Sequence, residues 1–164
     1  MRLAFAFALL CTPAFANIEV EFIEGAPKDR FVLTNTGECA LVDTQITIDL
    51  TDSASGIIFD TTERGAGVEV FQPLQIVAGQ QVLARVPVVT DGDTRVAFDI
   101  TTLPADQSLV FTIDVDDTDG GREITVSDAE IQGAKVFVTG ATGEAVGVFD
   151  GEATARVKTE GCIS

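Results

Sequence analysis

From Val42 to Leu50 the chain reads VDTQITIDL, with Val42, Thr44, Ile46, Ile48 and Leu50 on one side of an extended strand and Asp43, Gln45, Thr47 and Asp49 on the other. A period of two sends successive side chains to opposite faces of a sheet, so this run predicts a strand with one buried and one wet face. Ile18, Val20 and Phe22 repeat the pattern, opposed by Glu19, Glu21 and Ile23. So do FVL (31–33), GIIFD (56–60), VEVFQPLQIV (68–77), QVLARVPVV (81–89), RVAFDIT (95–101), SLVFTIDV (108–115), REITV (122–126), AKVFVTG (134–140), AVGVFD (145–150) and ATARVK (153–158). Turn residues separate them, among them Asn35-Thr36-Gly37, Asp91-Gly92-Asp93, Gly120-Gly121 and Asp150-Gly151. Pro73 and Pro87 mark their segments as edge strands or strands broken at a bulge. No run keeps a helical period beyond a turn or two. The expected fold is all-β, an antiparallel β-sandwich, immunoglobulin-like or jelly-roll-like, of about nine to eleven short strands.

MRLAFAFALLCTPAFA (1–16) stands apart. Arg2, the apolar core LAFAFALLC and the small-x-small Ala14-Phe15-Ala16 together read as a secretory signal peptide. Cleavage before Asn17 leaves 17–164 as a single secreted β-sandwich domain, released to the periplasm or beyond, without a transmembrane segment. Lipidation at Cys11 is disfavoured, because Leu10 stands where a small residue is wanted. An exported chain that keeps Cys39 and Cys162 invites a disulfide between them, worth about 2–4 kcal/mol.

The chain carries 26 acidic and 10 basic residues, a net charge of −16. Phosphate recognition needs a basic footprint, so nucleic acid is excluded as a partner, and an anionic membrane surface is disfavoured. The acids gather in FTIDVDDTDGGRE (111–123). There Phe111, Ile113 and Val115 should face the core, Thr112, Asp114 and Asp116 should face out, and Asp117 and Asp119 should lie at a turn. Asp91 and Asp93 form a second group, with Asp99 on the following strand. Crowded carboxylates repel unless they are solvated or bridged, and Ca²⁺ accepts irregular oxygen loops. Asp91, Asp93, Asp114, Asp116, Asp117 and Asp119 are therefore candidate Ca²⁺ ligands. An EF-hand does not fit, since starting it at Asp114 puts Asp119 at the obligatory glycine and Thr125 at the bidentate glutamate. The competing reading is plainer: Asp-Gly hairpins and outward acids keep sheets soluble and discourage edge pairing.

Catalysis has little support. The sequence contains no histidine, Tyr or Trp, and it shows neither a G-x-S-x-G elbow nor a phosphate loop. Paired carboxylates for glycoside hydrolysis remain the enzymatic alternative, without the aromatic subsites that usually accompany them.

IEVEFIEGAPKDRFVLTNTGECAL (18–41), AGVEVFQPLQIVAG (66–79) and FTIDVDDTDGGREITVSDAEIQGAKV (111–136) resemble a group of small secreted bacterial proteins. These are labelled aggregation factor core by likeness to a sponge adhesion proteoglycan component. The resemblance implies an extracellular β-domain for calcium-dependent adhesion or matrix association. It carries no residue-level motif. FVLTNTGECAL also resembles the early strands of immunoglobulin-like adhesion modules. The expected function is thus a non-enzymatic secreted domain for cell-surface or matrix interaction. Its expected partner is a surface or matrix protein, or an acidic polysaccharide bridged by calcium. A periplasmic structural domain without a specific ligand is a third reading.

Overall fold

Strand after strand buries every second side chain. The structure, a computed structural model, describes residues 17–62, 72–118, 126–141 and 143–159. The expected signal peptide, VEVF (68–71), REIT (122–125), Asp119 and Cys162 lie outside the described residues. Among those described, ten strands form: β1 (Asn17–Ile23), β2 (Asp29–Asn35), β3 (Leu41–Asp49), β4 (Ile58–Asp60), β5 (Gln75–Ala78), β6 (Arg95–Leu103), β7 (Ser108–Asp116), β8 (Lys135–Gly140), β9 (Gly143–Val148) and β10 (Thr154–Lys158). One antiparallel sheet runs β10-β1-β2-β7-β4, with β5 also paired to β7; the other runs β6-β3-β8-β9. Together they make a sandwich-like arrangement of two antiparallel sheets.

Phe, Ile, Val and Leu fill the space between the sheets. Phe31 and Phe111 are register partners on β2 and β7, stacked at 5.0 Å with planes 8° apart. Phe22 flanks this pair from β1 at 5.1 Å, and Phe98 meets Phe111 from the opposite sheet at 4.8 Å. Phe111, Ile113 and Val115 face the core as expected.

At one flank the two sheets nearly touch. A β-carbon on Gly147 of β9 would lie 2.7 Å from the carbonyl oxygen of Arg156 on β10, so only glycine lets these edges come together. At the other flank the chain crosses between sheets. Gly79, at φ 81°, leads from β5 into a 3₁₀ turn at Gln80–Val82, after which Leu83 bridges to Ile100 of β6.

Four expectations are corrected. QVLARVPVV (81–89) is not a strand: after the Leu83 bridge the segment is irregular. Pro87 lacks the N–H that a continued ladder would need. In β3, Leu41 rather than Val42 faces the core, because alternation changes phase at Asp43, whose φ is 46°. A one-turn helix, α1 (Asp128–Ile131), appears where none was expected. Its start is fixed by Glu130, whose carboxylate accepts the Ser127 N–H at 2.6 Å, and Ile131 anchors it in the core. Finally, the Cys39–Cys162 disulfide is not part of the described structure. Cys39 is the one described cysteine, so no disulfide joins two described residues. Cys39 itself is disulfide-bonded.

Asn35 ties the end of β2 across the sandwich. It is fully buried, and its Nδ2 donates to the Cys39 carbonyl at 2.8 Å and to the Leu103 carbonyl of β6 at 3.0 Å. Its Oδ1 accepts the Gly37 N–H at 3.0 Å, which shapes the expected Asn35-Thr36-Gly37 turn. Asn35→Ala should lower unfolding stability in urea by about 2–4 kcal/mol, since it strands one donor and two acceptors. Thr36→Ala removes only an exposed 3.4 Å contact and should change stability by less than about 0.5 kcal/mol. Equal midpoints for the two variants would rule out this role for Asn35.

Candidate functional site

Two places concentrate polar chemistry. The first is an acidic junction where the start of β2, the end of β4, the 91–93 turn and the end of β7 converge. β4 lies against β7 with Asp60 opposite Asp114 and Ile58 opposite Asp116. The turn closes onto β4 through two backbone bonds of 2.9 Å, Phe59 N–H to Asp93 O and Gly92 N–H to Phe59 O. Asp91 Oδ1 accepts the Thr61 and Thr62 N–H groups at 2.9 and 3.1 Å. Asp29, buried at the start of β2, accepts the Gly25 N–H at 3.0 Å and the Val115 N–H at 3.2 Å. Its carboxyl thus serves a β7 donor where the β2 ladder begins.

The junction brings the 91–93 turn and the end of β7 onto one strand, β4. It also adds Asp29 and Asp60, which local pattern did not single out. Asp114 and Asp116 are half-buried rather than fully outward, and Thr112 is buried. Among the described residues, Asp60 Oδ1 and Thr112 Oγ1 are buried without a hydrogen-bond partner.

Among the described residues the expected Ca²⁺ site is not formed. Among the described residues no group of three or more carboxylate or cysteine side chains stands in position to hold a metal ion. Carboxylate oxygens that a cation would need already serve the backbone. Asp91 Oδ1 holds Thr61 and Thr62, Asp93 Oδ2 accepts the Thr90 N–H at 2.8 Å, and Asp116 Oδ1 accepts the Asp117 N–H at 2.9 Å. These aspartates cap turns and strand ends. Asp119 lies outside the described residues.

Burial beside other carboxylates raises the acids' proton affinity. Desolvation pushes Asp29 up to about 7 against the pull of the Gly25 and Val115 N–H groups. Desolvation, the hydrogen-bonded Asp91 carboxylate and Asp116 push Asp60 up to about 6. Desolvation, with Asp29, Asp60 and Asp116 nearby, pushes Asp114 up to about 7. Asp49 moves the other way: burial opposes its charge, but Arg95 and Thr51 outweigh that and hold it below the ordinary carboxylate value.

The second place is a groove of about 410 Å³ on the outer face of the second sheet, lined by Asp43, Gln45, Asp99, Thr101, Thr139 and Gly140. It lies where β3 and β6 change phase together. The buried positions of β6 pass from Val96, Phe98 and Ile100 to Leu103, leaving Thr101 and Thr102 exposed opposite the left-handed Asp43. Asp99, which sequence grouped with Asp91 and Asp93, belongs here instead. It accepts Gln45 Nε2 at 2.8 Å and holds the Arg85 guanidinium at 3.3 Å. Among the described residues the Asp43 carboxylate and Gln45 Oε1 make no hydrogen bond. Thr101 donates to the Val82 carbonyl at 3.0 Å, so its oxygen still offers lone pairs.

No protein-family model, curated protein or solved structure matches this chain.

The junction sets a pH profile. Asp29, Asp60 and Asp114 bind protons more tightly folded than unfolded, where the ordinary value is 3.8. Between those limits the folded state holds more protons, so stability falls as pH rises from about 4 and levels off above about 7. Asp49 contributes in the opposite sense, its stabilisation being lost only as pH falls below the ordinary carboxylate value. The melting temperature should therefore peak near pH 4 to 5, about where these two trends meet. Asp114→Asn should flatten the decline toward neutrality; a midpoint that rises from pH 5 to 8 would contradict this assignment.

Proposed function

We propose that this chain is a non-enzymatic, exported β-sandwich domain that attaches to a protein of the cell surface or extracellular matrix. The observation that carries the reading is Val88, 94% exposed on the irregular segment between Leu83 and β6. Val86 of the same segment is also exposed, and Pro87 between them restricts the backbone. Ala84 lines a polar groove and Arg85 reaches its Asp99, so the segment that carries the two valines also supplies part of that recess. Exposed apolar anchors beside polar groups are the usual make-up of a protein-binding patch. The resemblance to secreted aggregation factor core proteins points the same way. The calcium-bridged polysaccharide has lost its bridge and drops out of the reading. Asp99 is engaged by Arg85 and Gln45, which favours a surface hold over a pair of carboxyl groups flanking a scissile bond.

We read the sandwich as immunoglobulin-like. β2 pairs β7 in one sheet while β3, β8 and β9 run side by side in the other, an order akin to the B–E and C–F–G pairings of that class.

The test is retention of fluorescently labelled protein on bacterial envelopes and on matrix-coated surfaces. Val88→Asp should reduce retention by about tenfold, the loss of one anchor worth roughly 1.4 kcal/mol. It should leave the melting temperature unchanged, because the side chain has no packing to lose. Val146→Asp, a control on the exposed face of β9, should bind like the parent. No retention of the parent on any surface, or equal retention of parent and Val88→Asp, would sink the reading.

A further inference from the structure

We propose that the groove between β3, β6 and β8 seats the guanidinium of an arginine from a basic segment of the partner. This rests on the attachment reading above and gives that partner's chemistry.

The recess is rich in acceptors. Asp43 contributes two carboxylate oxygens and Gln45 its Oε1, none of them in a hydrogen bond among the described residues. Thr101 adds a hydroxyl oxygen with lone pairs to spare. A guanidinium offers five N–H donors in a planar fork and accepts nothing, so a wall of oxygens suits it. The protein supplies its own example: Arg85 already places a guanidinium on Asp99 at 3.3 Å. That arginine is 81% exposed, so the pair is a surface contact of small net energy that an incoming group can exchange or share. A chain of net charge −16 draws basic segments toward it from a distance. The groove would convert this general attraction into a registered contact.

The shape of the recess depends on the phase change at Asp43. An ordinary L-residue resists φ 46°, but Asp and Asn occupy the left-handed region more readily than other non-glycine residues. Asp43→Asn therefore removes the charge and keeps the backbone, which makes it the variant of choice.

The experiment is a titration of the ¹⁵N-labelled mature chain with a capped Gly-Gly-Arg-Gly-Gly peptide, followed by amide chemical shifts. Shifts should concentrate at 43–45, 99–101 and 139–140. Asp43→Asn should weaken binding about fivefold, near 1 kcal/mol. Asp128→Asn, which removes the same charge from exposed α1, should weaken it less than about twofold. Arg85→Ala should strengthen binding by vacating Asp99. Should Asp43→Asn unfold, Asp99→Asn carries the same expectation of weakened binding. Shifts scattered over the acidic surface, or equal losses from Asp43→Asn and Asp128→Asn, would reduce the effect to net charge and overturn the proposal. Undiminished retention of Asp43→Asn on envelopes or matrix would overturn the groove as the contact while leaving attachment intact.

Discussion

The contact between Phe98 and Phe111 is the one on which the arrangement turns, because it joins the sheets through a strand that everything else leans on. β7 pairs with β2 along one side and with β4 and β5 along the other. Its Phe111 stacks on Phe31 and meets Phe98 of the facing sheet. With no Tyr or Trp in the sequence, aromatic packing falls entirely to phenylalanine. Four rings, Phe22, Phe31, Phe111 and Phe98, run across the sandwich as an apolar line without a polar handle. Such rings ask for no hydrogen-bond partner, so they can sit at the centre. The two carboxylates of β7, Asp114 and Asp116, come after this aromatic line, near the end of the strand, and the acidic junction forms there.

At that junction carboxylates do the work of missing backbone. β2 begins opposite Ile113, so β7 outruns it by three residues, and β4, three residues long, covers that end from the other side only. Asp29 takes the Val115 N–H, and Asp91 takes two donors just past β4. Each acid closes one local deficit in the ladder. An oxygen spent on an N–H is poorly placed for a cation, which explains how a chain this acidic gathers aspartates without building a metal centre among the described residues.

Much of the architecture was legible because a half-buried strand writes itself into sequence with period two. β1, β3, β6, β7, β8 and β10 are such runs, and the inward set Phe111, Ile113 and Val115 is where alternation puts it. The segment 81–89 alternates as well, but alternation measures extension and not pairing, and Pro87 denies a ladder. The phase change in β3 left no local trace beyond an aspartate, a residue that is ordinary on any wet face. Asp60 was invisible for a different reason. Its importance comes from lying opposite Asp114, a partnership that loops far apart in sequence decide. The one-turn helix could have been found from Ser127 and Glu130, spaced as a capping box, had the segment been long enough to show a helical period.

The glycine at 147 has a consequence for which edges of the sandwich a foreign strand can reach. By letting β9 come within contact of β10, it turns the two outer strands of that flank toward each other. A foreign strand finds no room to add there. On the opposite flank β6 is paired by β3 on its inner side and, among the described residues, only by the Leu83 bridge and the Ala84 bond to Asp99 on its outer side. Among the described residues the two flanks therefore differ: one is closed by direct contact of β9 with β10, the other is spanned at isolated points only.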